Sequence, residues 1–114
     1  MKTTYKKGLF AEWLARQYLR LHGFRILESR YVTGRGTGRA EIDIIARRSD
    51  LILFIEVKNR PDALSGLKAI SWTQSNRLRA SAELYLRRIR HIGPARFDVM
   101  VVRGLRVQWF PNQV

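Results

Sequence analysis

The stretch AEIDIIARRSDLILFIEVKNR, residues 40–60, decides the fold. It reads as two apolar runs, 40–47 and 51–59, joined at Arg48-Ser49-Asp50, the pattern of a β-hairpin. The second run, LILFIEV, is continuously apolar and suits a strand covered on both faces near the centre of a sheet. Three acids interrupt this apolar text: Glu41, Asp43 and Glu56. Side chains alternate faces along a strand, so Glu41 and Asp43 share a face on the first strand, and Glu56 and Lys58 on the second. If the turn pairs Arg47 with Ile52, then Asp43 stands opposite Glu56 and Glu41 opposite Lys58. A slip of two residues keeps all four on one face, whereas a slip of one separates them.

Carboxylates directly opposed across strands repel and weaken the sheet. A desolvated carboxylate without a partner costs on the order of several kcal/mol. Like charges gathered together push at least one carboxyl pKa upward. The chain holds nine acids against 22 Lys and Arg, yet only Lys58 enters this pattern. A bound divalent cation resolves the conflict, and hard carboxylate oxygens favour Mg²⁺ or Mn²⁺. Asp43 and Glu56 are the expected ligands of such an ion, which can polarise a phosphate and activate a water. Lys58 is placed to hold that water or to stabilise charge growing on the phosphate. The alternative is structural: Asp43 paired with an arginine, and Glu56 with cations near Lys58.

Outward from the hairpin, the spacing predicts a helix over residues 8–22, with Phe10, Leu14, Gln17, Tyr18 and Leu21 recurring at helical intervals and Gly23 ending it. FRILESRYV, residues 24–32, is an expected strand of imperfect alternation. TGRGTGR, residues 33–39, is a loop whose Arg35 and Arg39 are phosphate-contact candidates. A loop that needs only flexibility is the equal reading, and no Gly-Lys-Ser/Thr follows to make it a P-loop. A second helix is expected over 73–90, with Leu78, Ala82, Tyr85, Leu86 and Ile89 as its apolar stripe and Gly93-Pro94 as its stop. ARFDVMVVRG and LRVQWF close as a hairpin around Arg103-Gly104. The order is α-β-β-β-α-β-β, a mixed sheet flanked by helices within one domain, 1–114.

Composition narrows the classes. The 114 residues are 46% hydrophobic, with three Trp, four Tyr and five Phe, which is a folding composition and not a disordered one. There is no cysteine, so neither a disulfide framework nor a thiolate metal site exists. With His22 and His91 as the two histidines, a Cys/His zinc site is excluded too. Both histidines sit near helix ends and are read as structural. No secretory h-region and no apolar run of membrane-spanning length occur, so a cytoplasmic protein is expected. The net charge of +13 creates an attractive field for phosphates, making nucleic acid the leading partner. An anionic membrane surface would also answer the charge. Arg60 and Arg77 join Arg35 and Arg39 as nucleic-acid-contact candidates.

Asp43, twelve intervening residues, then Glu56-Val57-Lys58 on a following strand resembles the PD-(D/E)XK nuclease superfamily. With GLFAEWLARQYLRLHGFRIL, RLRASAELYL and ARFDVMVV the resemblance covers nearly the whole chain, and it is closer to the YraN family of endonuclease-like proteins, which is distantly similar to Holliday junction resolvases. That resemblance implies a restriction-endonuclease-like α/β fold. It implies metal ligation by Asp43, Glu56, the Val57 carbonyl and the helix-borne Glu12, with Lys58 catalytic. It also implies supporting roles for Glu41 and for Gln74, although a plain N-terminal helix position is the competing reading of Gln74. Ala40 replaces the glycine of the family's Gly-Glu-Ile-Asp pattern. Asp98 matches the family and is read as an ion-pair partner of Arg96. The expected activity is Mg²⁺- or Mn²⁺-dependent cleavage of DNA phosphodiester bonds, on branched or recombination DNA. A homodimer would let such an enzyme cut two strands. The rivals are a non-catalytic nucleic-acid-binding protein that keeps the nuclease fold, and a basic structural protein of a ribonucleoprotein.

Overall fold

The computed structural model describes residues 2–33, 40–59 and 72–113, with side chains over 8–33, 40–59 and 76–113. The elements follow in the order α1 (Lys2–Leu21), β1 (Arg25–Val32), β2 (Glu41–Arg48), β3 (Leu51–Asn59), α2 (Trp72–Arg88), β4 (Ala95–Arg103) and β5 (Arg106–Phe110). Among the described residues the strands form one sheet in sequence order, β1-β2-β3-β4-β5. β3 and β4 run parallel and the other neighbours antiparallel, so the sheet is mixed. The α/β class and the expected element order both hold. No helix among the described residues is long and apolar enough to cross a membrane.

The hairpin turn pairs Arg48 with Leu51 and Arg47 with Ile52. Ser49 takes the left-handed conformation that so tight a connection needs (φ 54°). β3 is central and buried from Ile52 to Glu56, as its unbroken apolar run demands. Its alternate residues feed two cores. Ile52 and Phe54 meet Leu78, Ala82 and Tyr85 of α2, while Leu53 and Ile55 meet Ala15 and Leu19 of α1.

Three sequence expectations are corrected. The face of α1 that packs on the sheet is Ala11, Ala15 and Leu19, exposed by 2% or less, whereas Phe10 and Leu21 of the expected stripe lie outside. The small alanines let the helix axis come close to the strands, which outweighs the larger apolar area offered by the other face. Secondly, α1 begins at Lys2 and not at residue 8. Its end is as expected: Gly23 sits at φ 84°, with Gly23 N–H donating to the Arg20 carbonyl and Phe24 N–H to that of Leu19, a Schellman cap. Thirdly, α2 ends at Arg88, two residues before the expected end at residue 90, and a cap of its own closes it before the Gly93-Pro94 stop is reached. The same cap closes it with Arg90 in the left-handed position (φ 56°) and His91 N–H donating to the Leu86 carbonyl. Gly93 serves close approach instead, because a Cβ there would stand 2.9 Å from the Asp50 carbonyl oxygen.

Candidate metal centre where two strands part

The β2–β3 ladder runs from Arg48/Leu51 to Ile44/Ile55 and ends there. The next pair in that register would be Asp43 and Glu56. On the other side of β2, Ser29 pairs with Ile44 and Tyr31 with Ile42, while Arg30, opposite Asp43, is left out and turns to φ 52°. Asp43 therefore stands where the ladder is interrupted on both sides. The Val57 N–H donates to Asp43 Oδ2 (2.8 Å), a side chain taking the place of a ladder partner. Simple alternation does not survive this point. Ile44 packs in the α1-side core, yet Ile42, two residues earlier, packs with the α2-side core. The acids thus meet because β2 leaves β3, and not because a regular pleat lines them up.

Carboxylate oxygens of Glu12, Glu41 and Asp43 all lie within 4.8 Å of one another. Glu12 arrives from the buried side of α1 and is 8% exposed, while Glu41 faces solvent. Glu56 stands against Asp43 from β3. Burial above all, and then the charge of Glu56, push the Asp43 carboxyl up to about 8. The Val57 N–H works against that rise, while Glu12 and Glu41 add to it. Burial also raises the Glu56 pKa, against the charge and hydrogen bond of Lys58 and with help from Glu41 and Glu12. Lys58 Nζ is 3.2 Å from Glu56 Oε1. Among the described residues Glu56 Oε2 is buried without a hydrogen-bond partner, an unusual state for an ionisable oxygen.

Sequence reasoning passed over Arg30. Its Nε and Nη2 donate to Glu12 Oε2 at 3.1 and 2.6 Å, and Nε also reaches Oε1 at 3.3 Å, a two-pronged grip that fixes the carboxylate's plane. Spacing carries no sign of it, because the left-handed turn that swings Arg30 toward α1 is a backbone property. The sequence candidates distribute as follows. Glu12, Glu41 and Asp43 come together within 4.8 Å, while Glu56, paired with Lys58, couples to Asp43 electrostatically but lies outside that group of three. Val57 enters through its N–H. Arg77 is exposed on α2 and its carbonyl accepts from the Ser81 hydroxyl (2.9 Å). Arg35, Arg39 and Arg60 lie outside the described residues, as does the side chain of Gln74. Ser81 of α2 meets Thr33, which bonds Ala40 next to Glu41, so this part of α2 lies at the carboxylate end of the sheet.

The donor set suits a hard divalent cation: carboxylate oxygens without sulfur or imidazole, two of them on acids that burial disfavours as anions, and one buried oxygen lacking any partner. Elsewhere the fold treats acids differently. Asp98, wholly buried, accepts from Arg96, Trp109 and the Asn112 N–H, the ion pair expected with Arg96. His22 and His91 each pair a ring nitrogen with a backbone carbonyl, of Tyr18 and Pro94.

Fold and site together define an α/β protein whose central sheet opens, at one end, onto a cluster of carboxylates. The chain belongs to a family described as Uncharacterised protein family UPF0102, which matches residues 11–102. It is 44% identical to a UPF0102 protein of Agrobacterium fabrum over 90% of this chain and 82% of that one. A relative from Mesorhizobium japonicum is 41% identical over 86% and 77%. One from Chelativorans is 48% identical over 74% of this chain but 64% of its own length, so the match spans just under two-thirds of that relative.

Proposed function

We propose that this chain is a Mg²⁺- or Mn²⁺-dependent endonuclease that hydrolyses DNA phosphodiester bonds. One observation carries the reading: half-buried Asp43 and buried Glu56 interact electrostatically with their ionised forms disfavoured, and among the described residues Glu56 keeps an unpartnered oxygen. A fold that gains nothing from such an arrangement in water gains from it when a cation is present. Asp43 and Glu56, with Glu12, Glu41 and the Val57 carbonyl, would hold the ion. When bound, it would supply Lewis-acid polarisation of the phosphate and an activated water.

The chain's own groups do the rest. The Val57 N–H orients Asp43, so the carboxylate needs no rearrangement to present its second oxygen. Lys58, held by Glu56, offers an ammonium at the rim of the cluster for a phosphate oxygen or a water. Arg30 keeps Glu12 in place and partly offsets the local negative charge. The net charge of +13 draws the polyanion in, with Arg35, Arg39, Arg60 and Arg77 as its contacts. Branched DNA as the preferred substrate, a dimer that cuts two strands, and action in the cytoplasm extend the same reading.

The test is cleavage of labelled linear, flap and four-way DNA in Mn²⁺ and in EDTA. Wild type is expected to cut at least one of them in Mn²⁺ and none in EDTA. Asp43→Asn and Lys58→Ala should each lose at least about 100-fold in rate while still binding DNA. If both cut like wild type, the assignment fails. A second reading, a nucleic-acid-binding protein that keeps the nuclease fold without catalysis, is favoured by one feature: Arg30 and Lys58 already compensate Glu12 and Glu56. Binding without cleavage on every substrate would establish it.

A further inference from the structure

We propose that the outer face of α1 is a stacking platform for unpaired nucleotides of single-stranded nucleic acid. The inference rests on the nucleic-acid reading above and names the strand state that the site takes. Phe10 and Trp13 are 44% and 48% exposed, with Leu9 beside them at 37%. The two rings stack on each other, centroids 5.9 Å apart and planes 27° from parallel. The fold buries the opposite, small-residue face of the helix and leaves the aromatic one outside.

The chemistry of that face is selective. Glu12 is the helix's single acid, and it turns inward to Arg30. Arg16 and Arg20 continue along the helix beyond Trp13, and neither pairs with a carboxylate among the described residues. The surface is therefore aromatic and cationic with no anion of its own. Bases stack on such rings whatever their identity, while the phosphates between them follow the cations. Trp13 also adjoins Glu12 in the chain, so the platform sits one residue from a member of the carboxylate cluster. A second copy of a chain carrying +13 would be repelled from the same face.

The experiment is fluorescence anisotropy in EDTA, on the full chain, with a labelled dT oligonucleotide of about 12 nucleotides and a blunt duplex of equal length. Wild type is expected to bind the single strand. Phe10→Ala and Trp13→Ala should each weaken that binding about fivefold or more and change duplex affinity by less than about twofold, while Trp13→Phe, which keeps a π-face, should stay near wild type. Because both side chains are exposed, thermal unfolding should be unchanged. Equal losses on both ligands, no loss on either, or absence of single-strand binding by wild type would overturn the proposal. So would Trp13-dependent binding to anionic phosphatidylserine vesicles, or Trp13-dependent self-association, with oligonucleotide affinity unchanged. Since EDTA prevents cleavage throughout, an absence of nuclease activity would count against the catalytic reading and leave this result standing.

Discussion

Two buried acids on neighbouring strands receive opposite treatment. Asp98 on β4, fully enclosed, has four donors: Arg96 Nε and the Asn112 N–H on Oδ1, Arg96 Nη2 and Trp109 Nε1 on Oδ2, all between 2.7 and 2.9 Å. Glu56 on β3, 7% exposed, has Lys58 on one oxygen and nothing on the other. The fold thus has the means to complete a buried carboxylate and applies them to Asp98. Among the described residues it withholds them at Glu56, which couples to Asp43. Complete coordination marks Asp98 as a structural acid; the incomplete coordination of Glu56 is what the proposed metal site would require.

The largest effect should come from breaking the complete site. Asp98→Ala strands the Arg96 guanidinium and the Trp109 N–H, and is expected to cost about 3 kcal/mol in urea denaturation. Glu56→Gln, which removes a disfavoured anion, should be neutral or stabilising in the metal-free protein. Equal losses would erase the contrast.

The next effect concerns Asp43 and pH. Its folded pKa, about 8, lies above the unfolded value of 3.8, so the folded state holds more protons between those pH values. Stability of the metal-free protein should therefore fall as pH rises from about 4 to about 8. Asp43→Asn should flatten that slope and raise stability at pH 7, with the advantage gone below pH 4. Thermal unfolding across this range checks the sign.

A smaller gain should follow from completing the cluster. At ten times its Kd, Mn²⁺ would add about 1.4 kcal/mol to folding. The resulting rise in Tm should disappear in Asp43→Asn and Glu56→Gln and persist in Asp98→Asn.

The smallest effect separates two arginines with the same backbone strain. Arg90 and Arg30 both lie near φ 55°, at 56° and 52°. Arg90→Gly relieves the left-handed position at the end of α2 and should stabilise by about 0.5–1 kcal/mol. Arg30→Gly relieves the same strain but releases Glu12, so no gain is expected, and the metal-dependent Tm shift should weaken.

Much of this was legible because the hairpin writes its own register. Five consecutive pairs follow from placing Arg47 against Ile52, and the Asp98–Arg96 pair follows from their two-residue spacing. The α2 stripe was readable since Leu78, Ala82 and Tyr85 outrank their polar neighbours. α1 was not, because both of its faces carry apolar residues, and the choice between them depends on how close the helix can come to the sheet. Ala11 and Ala15 decide that through the volume they lack, which hydrophobicity does not register. Arg30 and the parting of β2 from β3 were hidden for a related reason. Both are departures from regular geometry, and periodicity describes only what is regular.

At the start of β2, beside the carboxylates, Thr33 N–H donates to the Ala40 carbonyl (3.0 Å), Ala40 N–H returns a bond to Thr33 Oγ1 (3.2 Å), and Thr33 Oγ1 meets the buried Ser81 hydroxyl of α2 (2.8 Å). These bonds fix the start of β2 from outside residues 34–39. The strand that carries Glu41 and Asp43 is therefore anchored by α2 as well as by its sheet neighbours, and Thr33→Val should loosen the acids' footing without touching a carboxylate.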